Sequence, residues 1–239
     1  MSVDVVVTAT PFMDLTFLGL EALPKTGEER FAGDLLRSPG GGAINAIGAA
    51  RLGLRAALAA PLGHDLEGDF IREELARDGI ALLTSSAART PTTVVMPHGG
   101  ERAMVTYEPG ISTRAADVAA FDPRAVIVSI NQLDVVPDGV PAYATCGDDD
   151  ARAFAGRPPG DLHRARVLFV NRREARQLTG HDSAEDGTHS ASRAAPSSAE
   201  SWPVSWRASR RLTNSARARS RSRGGRRANA RASSSPQVV

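Results

Sequence analysis

Apolar residues over the first 180 positions fall into short blocks of two kinds. Val3 to Thr8 is a mostly β-branched apolar run, which predicts a buried strand. Leu66 to Arg77 carries apolar residues on one side of a helical repeat and is followed by Gly79, which predicts an amphipathic helix. The same criteria predict strands at 55–61, 125–130 and 167–170, and helices at 45–54 and 172–178, while Cys146 after 142–145 fits the end of a further strand. Alternating strands and helices predict a layered α/β domain with a largely parallel sheet.

One pair of strands departs from this alternation. Thr92 to Met96 and Ala103 to Tyr107 are rich in β-formers, and Pro97-His98-Gly99-Gly100 between them has the composition of a turn. We expect a hairpin that projects from the parallel sheet.

The character of the chain changes after about Asp186. Ser, Ala and Arg dominate there, with no repeat of 2 or 3.6 residues, so we expect a disordered tail. Eleven arginines against one acid, Glu200, give this part a charge of +10, whereas the whole chain carries +2 and the remainder therefore −8. We divide the chain into a domain over 1–185 and a tail over 186–239.

Other features narrow the class of protein. No apolar run approaches the roughly 20 residues that span a bilayer, so we expect no membrane partner. Cys146 is the only cysteine, which excludes an internal disulfide and favours a cytoplasmic location.

A glycine-rich segment, Ser38-Pro39-Gly40-Gly41-Gly42, precedes the helix predicted from Asn45. Glycines let a backbone approach a ligand closely, and a helix N-terminus offers unpaired N–H groups. The spacing fits neither a dinucleotide fingerprint nor a phosphate-binding P-loop. On these residues alone, a ligand-binding loop and an ordinary strand-to-helix turn both remain open.

The wider context resembles the PfkB, or ribokinase-like, family of carbohydrate kinases over about residues 3–181. The resemblance rests on Pro39 to Asn45 with Ala49-Ala-Arg-Leu-Gly53, on Gly63 to Asp69 continuing to Ile80, on Asp14, and on Asn171-Arg-Arg-Glu174 continuing to Gly180. It implies a three-layer ribokinase-like fold with a small β-lid at about residues 92–107. It also implies transfer of the γ-phosphoryl group of ATP to a sugar or nucleoside hydroxyl.

The resemblance also implies roles for particular residues. Asp14, Gly41, Gly42 and Asn45 would bind the sugar. Asn171 and Glu174 would hold the ATP–Mg²⁺ region, with Glu174 contacting the metal through water. Because relatives dimerise through the lid, a homodimer of this kind is a further expectation.

The family's catalytic segment, D-T-x-G-A-G-D, is missing from the sequence, and no acid follows Glu200. The acceptor hydroxyl needs a base within hydrogen-bonding reach, so we predict impaired catalysis and assign no catalytic residue. Two alternatives stay open. One is a sugar-binding protein without catalysis. The other is a nucleic-acid-binding module in which the Arg/Ser-rich stretch 217–227 contacts RNA phosphates, although we do not expect nucleic acid as the partner.

We predict that the reading frame shifts between about Asp182 and Ser198. Lys25 is the only lysine, so nearly all basic residues are arginine, as in GC-rich coding DNA. Out of frame, such DNA encodes Arg, Ala, Ser, Gly and Pro, which is the composition of the tail. Sequencing the gene over codons 180–239 should reveal a second frame encoding Gly-Ala-Gly-Asp. An intact frame upstream of Trp202 with no such segment downstream would disprove the shift.

Overall fold

A computed structural model describes residues 2–83, 86–110 and 112–180. The predicted tail at 186–239, its arginine-rich stretch and the predicted frame shift lie outside these residues. The strands are β1 (Val5–Val7), β2 (Pro11–Leu18), β3 (Asp34–Gly41), β4 (Ala56–Ala59), β5 (Leu62–Gly63), β6 (Ala81–Leu83), β7 (Ser86–Ala87), β8 (Thr92–His98), β9 (Glu101–Tyr107), β10 (Val126–Ser129), β11 (Ala142–Thr145) and β12 (Ala165–Phe169). The helices are α1 (Gly42–Arg51), α2 (Leu66–Arg77), α3 (Ala115–Ala119), α4 (Asp148–Ala153) and α5 (Arg172–Thr179).

The central sheet has six strands in the order β12-β11-β10-β1-β4-β6, and every pairing in it is parallel. The predicted α/β class with a mostly parallel sheet is therefore confirmed. β1 lies inside the sheet, and Val5, Val6 and Val7 are all buried, which explains its continuous apolar sequence.

Two hydrophobic layers cover the central sheet, one on each face. Val5 and Val7 pack with residues of α1 and α2, including Ala46 and Ile71. Val6 points the other way and packs with Val118 of α3. Alternating directions along β1 thus place one layer on each side of the sheet.

The helix α2 has the bounds that its apolar spacing predicts. Ile71 and Leu75 are buried, whereas Leu66 is the first helical residue and is exposed. Asp65 caps the helix by accepting a hydrogen bond from Gly68 N, and Gly79 follows the last turn at a φ of 66°. The predicted helix at 45–54 instead spans Gly42–Arg51, because the helix begins inside the glycine segment.

A second sheet of four strands has the order β3-β2-β8-β9, and we call it the lid sheet. The predicted hairpin is present as β8 and β9, with Gly99 and Gly100 at φ values of 61° and 81° in its turn. Its partners β2 and β3 were not predicted as strands. Asp14, which follows the first strand in the chain, lies within β2.

In the described part of the chain, none of the helices is long and apolar enough to cross a membrane.

Candidate functional site

The chain order of the central sheet indicates where a ligand binds. From β1 the chain proceeds to β4 and β6 on one side, and later to β10, β11 and β12 on the other. Open parallel sheets bind ligands outside the carboxyl ends of their strands, at the point where this direction reverses. Here that point is the carboxyl end of β1, where the lid sheet begins.

Gly41 and Gly42 pack against the chain that leaves β1. A Cβ atom on Gly41 would lie 2.3 Å from the carbonyl oxygen of Thr10, and Gly41 has a φ of 54°. A Cβ atom on Gly42 would lie 1.9 Å from the carbonyl oxygen of Ala9. Gly42 N also donates to Thr10 O over 2.8 Å. The fold itself therefore requires both glycines, which is a reason for them separate from contact with a ligand.

The carboxylate of Asp14 lies over the backbone of Gly40, where an added Cβ would be 2.4 Å from Cγ and from both carboxylate oxygens. In the lid sheet Asp14 is paired with Ser38 and Thr93. Burial raises the pKa of Asp14, and the charge of Arg102 on β9 opposes this shift. No described residue donates a hydrogen bond to the carboxylate. Asp14 is thus a half-buried acceptor with its bonding capacity free.

Asn45 lies in the first turns of α1, one helical turn after Gly41 and Gly42. It is partly exposed, and its amide makes no hydrogen bond to the part of the chain that the structure describes. The N-cap residue of α1 is Gly41, which supplies no side chain to the first amides of the helix. The structure therefore brings Asp14, Gly41, Gly42 and Asn45 to one end of α1.

Asn171 and Glu174 begin α5, at the carboxyl end of β12. Asn171 Oδ1 accepts a hydrogen bond from Glu174 N over 2.9 Å, and Glu174 Oε2 accepts one from Asn171 N over 2.7 Å. This reciprocal pair is a capping box, so both residues stabilise the start of the helix. Between β12 and β1 lie two further strands, which separate this pair from the first group by about 14 Å of sheet.

Two further carboxylates, Asp148 and Asp150, stand near Glu174. Burial raises the pKa of Glu174, the Asn171 amide opposes the shift, and the charges of Asp148 and Asp150 raise the pKa further. Asp150 accepts hydrogen bonds from Ser129 Oγ over 3.0 Å and from Asn131 Nδ2 over 2.9 Å. These contacts gather carboxylates at the carboxyl ends of β10, β11 and β12.

Sequence reasoning did not select these acids, although three consecutive aspartates at 148–150 directly follow a predicted strand. Cys146 lies nearby, and burial together with the charges of Asp150, Glu174 and Asp148 raises the pKa of its thiol to about 12. The thiol is therefore protonated at neutral pH and not a reactive nucleophile. Among the described residues, no group of three or more His, Cys, Asp or Glu side chains has the geometry to hold a metal ion.

Comparisons with known proteins place these observations in context. The model of the pfkB family of carbohydrate kinases matches residues 13–201. A search of curated proteins found no match.

Solved structures share the fold. Ribokinase from Arabidopsis thaliana, complexed with ribose and ATP, is 23% identical, with a TM-score of 0.61 over 81% of this chain and 69% of its own. Adenosine kinase from Sinorhizobium meliloti is 16% identical, with a TM-score of 0.66 over 82% and 73% of the two chains. Fructokinase from Xylella fastidiosa is 22% identical, with a TM-score of 0.56 over 80% and 69%.

We predict opposite effects for two glycine substitutions in α1. Gly42→Ala should destabilise the protein by about 2 kcal/mol or more, because the new Cβ collides with the backbone of Ala9. Gly48→Ala should stabilise it by about 0.5–1 kcal/mol, because a Cβ there meets open space in a helix interior. Urea unfolding measures both, and equal effects of the two substitutions would contradict the close packing.

We predict that Asp14→Asn raises the melting temperature at pH 7. The folded-state pKa of Asp14 is raised, so the wild-type fold is stabilised while this group is protonated and loses that stabilisation as pH rises through the pKa. The difference in melting temperature between Asp14→Asn and wild type should therefore shrink as the pH falls. Asp4→Asn is the control of opposite sign, because the hydrogen bonds and charge of Arg55 hold the pKa of Asp4 far below its usual value. Thermal unfolding at several pH values decides, and a melting temperature of Asp14→Asn at or below wild type at pH 7 would contradict the prediction.

Proposed function

Since the chain belongs to the pfkB family of carbohydrate kinases, we propose that it binds a sugar or nucleoside through Asp14, Gly41, Gly42 and Asn45. The observation that carries this proposal is the Asp14 carboxylate, which is half-buried and receives no hydrogen bond from any described residue. Keeping such a group partly out of water is unfavourable unless a ligand supplies donors. The hydroxyl groups of a sugar are donors of this kind.

The proposed binding chemistry assigns a distinct role to each residue. Asp14 accepts hydrogen bonds from substrate hydroxyls, and bonds to a charged acceptor are about twice as strong as neutral ones. Asn45 both donates and accepts, which suits a polyol. Gly41 and Gly42 leave backbone without side chains beside the ligand. The lid sheet excludes water from the site and so strengthens these bonds.

We place the ATP phosphates and Mg²⁺ near Asn171 and Glu174. Mg²⁺ retains several waters and is held mainly by phosphates with one or two carboxylates. The raised pKa of Glu174, caused by burial and then by Asp148 and Asp150, fits a region that gains from a cation. Glu174 would contact the metal through water. Bound Mg²⁺ would neutralise phosphate charge.

We further propose that this polypeptide has little or no kinase activity. Transfer of a phosphoryl group to a hydroxyl needs a base within hydrogen-bonding reach of that hydroxyl. The family's glycine-rich segment with its terminal aspartate is absent from the sequence. The chain is then a sugar-binding protein on a kinase fold, and its substrate lies among ribose, fructose, sugar acids and nucleosides.

A homodimer through the lid sheet is part of the proposal. Leu36 on β3 and Met104 on β9 are about half exposed, and strand pairing places them on the face that also carries Asp14. These exposed apolar residues lie on the two edge strands of one sheet face, a surface that a second copy would cover.

We expect titration calorimetry of the full-length protein with D-ribose, D-fructose and adenosine to detect binding of at least one. Asp14→Asn and Asn45→Ala should weaken it about tenfold or more, because each removes direct hydrogen bonds to the ligand. Asp34→Asn, an exposed change on β3, should leave the affinity unaltered. Product analysis with ATP and Mg²⁺ should show no phosphorylated sugar.

Three results would count against these proposals. If Asp14→Asn leaves the affinity for the ligand unchanged, the ligand does not bind at the proposed site. ATP-dependent phosphorylation of any of the three ligands would disprove the loss of catalysis. A monomer in sedimentation at all concentrations would contradict the lid-mediated dimer.

A further inference from the structure

Four segments of chain lead between the lid sheet and the rest of the domain, at about residues 8–10, 40–42, 88–91 and 108–114. The third of them leads from β7 into β8 and contains Thr90, which is 3% exposed. A buried residue in a connection between two sheets needs a structural reason, since most connections run over the surface. Here the reason is a carboxylate on α2.

Asp65 accepts two hydrogen bonds from Thr90. Its Oδ2 accepts a hydrogen bond from Thr90 N over 2.8 Å, and its Oδ1 accepts one from Thr90 Oγ1 over 2.6 Å. Thr90 Oγ1 in turn accepts from Gly63 N over 3.1 Å. The main-chain N–H and the hydroxyl of Thr90 are therefore both hydrogen-bonded to residues outside the lid sheet, Asp65 and Gly63.

These contacts exceed what helix capping requires. As the N-cap residue of α2, Asp65 needs only its bond from Gly68 N, which measures 2.9 Å. Both bonds to Thr90 are additional. Burial disfavours the charge of Asp65, but the bonds from Thr90 and Gly68 outweigh burial and lower the pKa of the carboxyl, which keeps it ionised.

Gly63 and Gly68 pack closely against Thr90. A Cβ on Gly63 would lie 2.6 Å from Thr90 N and 2.7 Å from Asp65 Oδ2. A Cβ on Gly68 would lie 2.8 Å from Thr90 Oγ1 and 2.2 Å from Gly63 O. Arg72 fixes that same carbonyl, donating from Nη2 over 2.8 Å. Neither glycine could carry a side chain without colliding with Thr90 or with the groups that bind it.

From Thr90 the structure leads directly to the proposed sugar-binding carboxylate. The carbonyl of Pro91, the next residue, accepts a hydrogen bond from Met13 N over 2.9 Å. Met13 is buried in the central core and immediately precedes Asp14. Thr93, two residues beyond Pro91, is the strand partner of Asp14 and bonds to Thr106 across the hairpin.

We infer that Asp65 is a positioning residue, which anchors the lid sheet to α2 through Thr90 and thereby holds Asp14 in place for its ligand. The anchoring is a property of the fold by itself. Its consequence for ligand affinity rests on the proposed function.

Hydrogen exchange of the full-length protein tests the anchoring without any ligand. In Asp65→Asn, an amide group replaces the acceptor that serves Thr90 N, so peptides covering 11–18 and 92–107 should exchange about tenfold faster. Peptides covering 56–59 and 126–129 in the central sheet should keep wild-type rates. Glu67→Gln is the matched control, because it removes one negative charge from the same first turn of α2. Faster exchange over all four peptides, or over none, would overturn the inference.

Two variants of Thr90 test the anchoring independently, so that a general folding defect in Asp65→Asn does not decide the outcome. Thr90→Ser retains the hydroxyl and should exchange like wild type, whereas Thr90→Val loses it and should loosen the lid peptides selectively. Equal behaviour of Ser and Val would also overturn the inference.

Affinity for D-ribose, D-fructose and adenosine completes the test. Any affinity that wild type shows should fall about tenfold in Asp65→Asn and remain in Glu67→Gln. If wild type binds none of the three, the proposed function fails, while the exchange data still decide the role of Asp65.

Discussion

The close contact between the glycine segment and the end of β1 is the constraint on which the rest of the structure depends. Gly42 donates to the carbonyl of Thr10, and neither Gly41 nor Gly42 has room for a side chain. This contact joins the end of β3, in the lid sheet, to the segment that leaves β1 of the central sheet. It also fixes the residue at which α1 begins. Asp14 and Asn45 take their positions from it, because one lies over the adjoining backbone and the other lies one turn into the helix.

The two halves of the candidate site differ in how far their polar groups are already satisfied. Asp14 and Asn45 have no hydrogen-bond partner among the described residues, and holding Asp14 partly out of water raises its pKa. Asn171 and Glu174 bond to each other and cap a helix. The first half is therefore prepared for a neutral ligand with many donors, whereas the second is a stable helix start beside Asp148 and Asp150, whose charges raise the pKa of Glu174.

Sequence patterns predicted the helices and strands that are marked by residues close together in the chain. The bounds of α2 follow from the spacing of Ile71 and Leu75, and the hairpin follows from its glycine turn. β3 was not predicted, because Pro39 and the glycines that follow are unfavourable in a strand. Its partner β2 was not predicted either.

Contacts between distant parts of the chain could not be predicted. Asp65 directly precedes the predicted helix at Leu66, but its bonds to Thr90, 25 residues away, exist only in the folded chain. The same holds for Gly42, whose side-chain space is closed by Ala9. Asp14, Gly41, Gly42 and Asn45 were selected through a family resemblance, and the structure adds that they share one end of α1.

The lid sheet has a consequence for how the protein is made. All four of its strands, together with α1 and α2, lie between residues 11 and 107, whereas β10, β11 and β12 begin at Val126. A ribosome therefore synthesises the complete lid sheet and its anchoring helix before it synthesises the other side of the central sheet. Asp14, Asn45 and the strands and helices around them are thus encoded upstream of the segment in which we predict the frame shift, so a shift there would leave their own sequence unchanged.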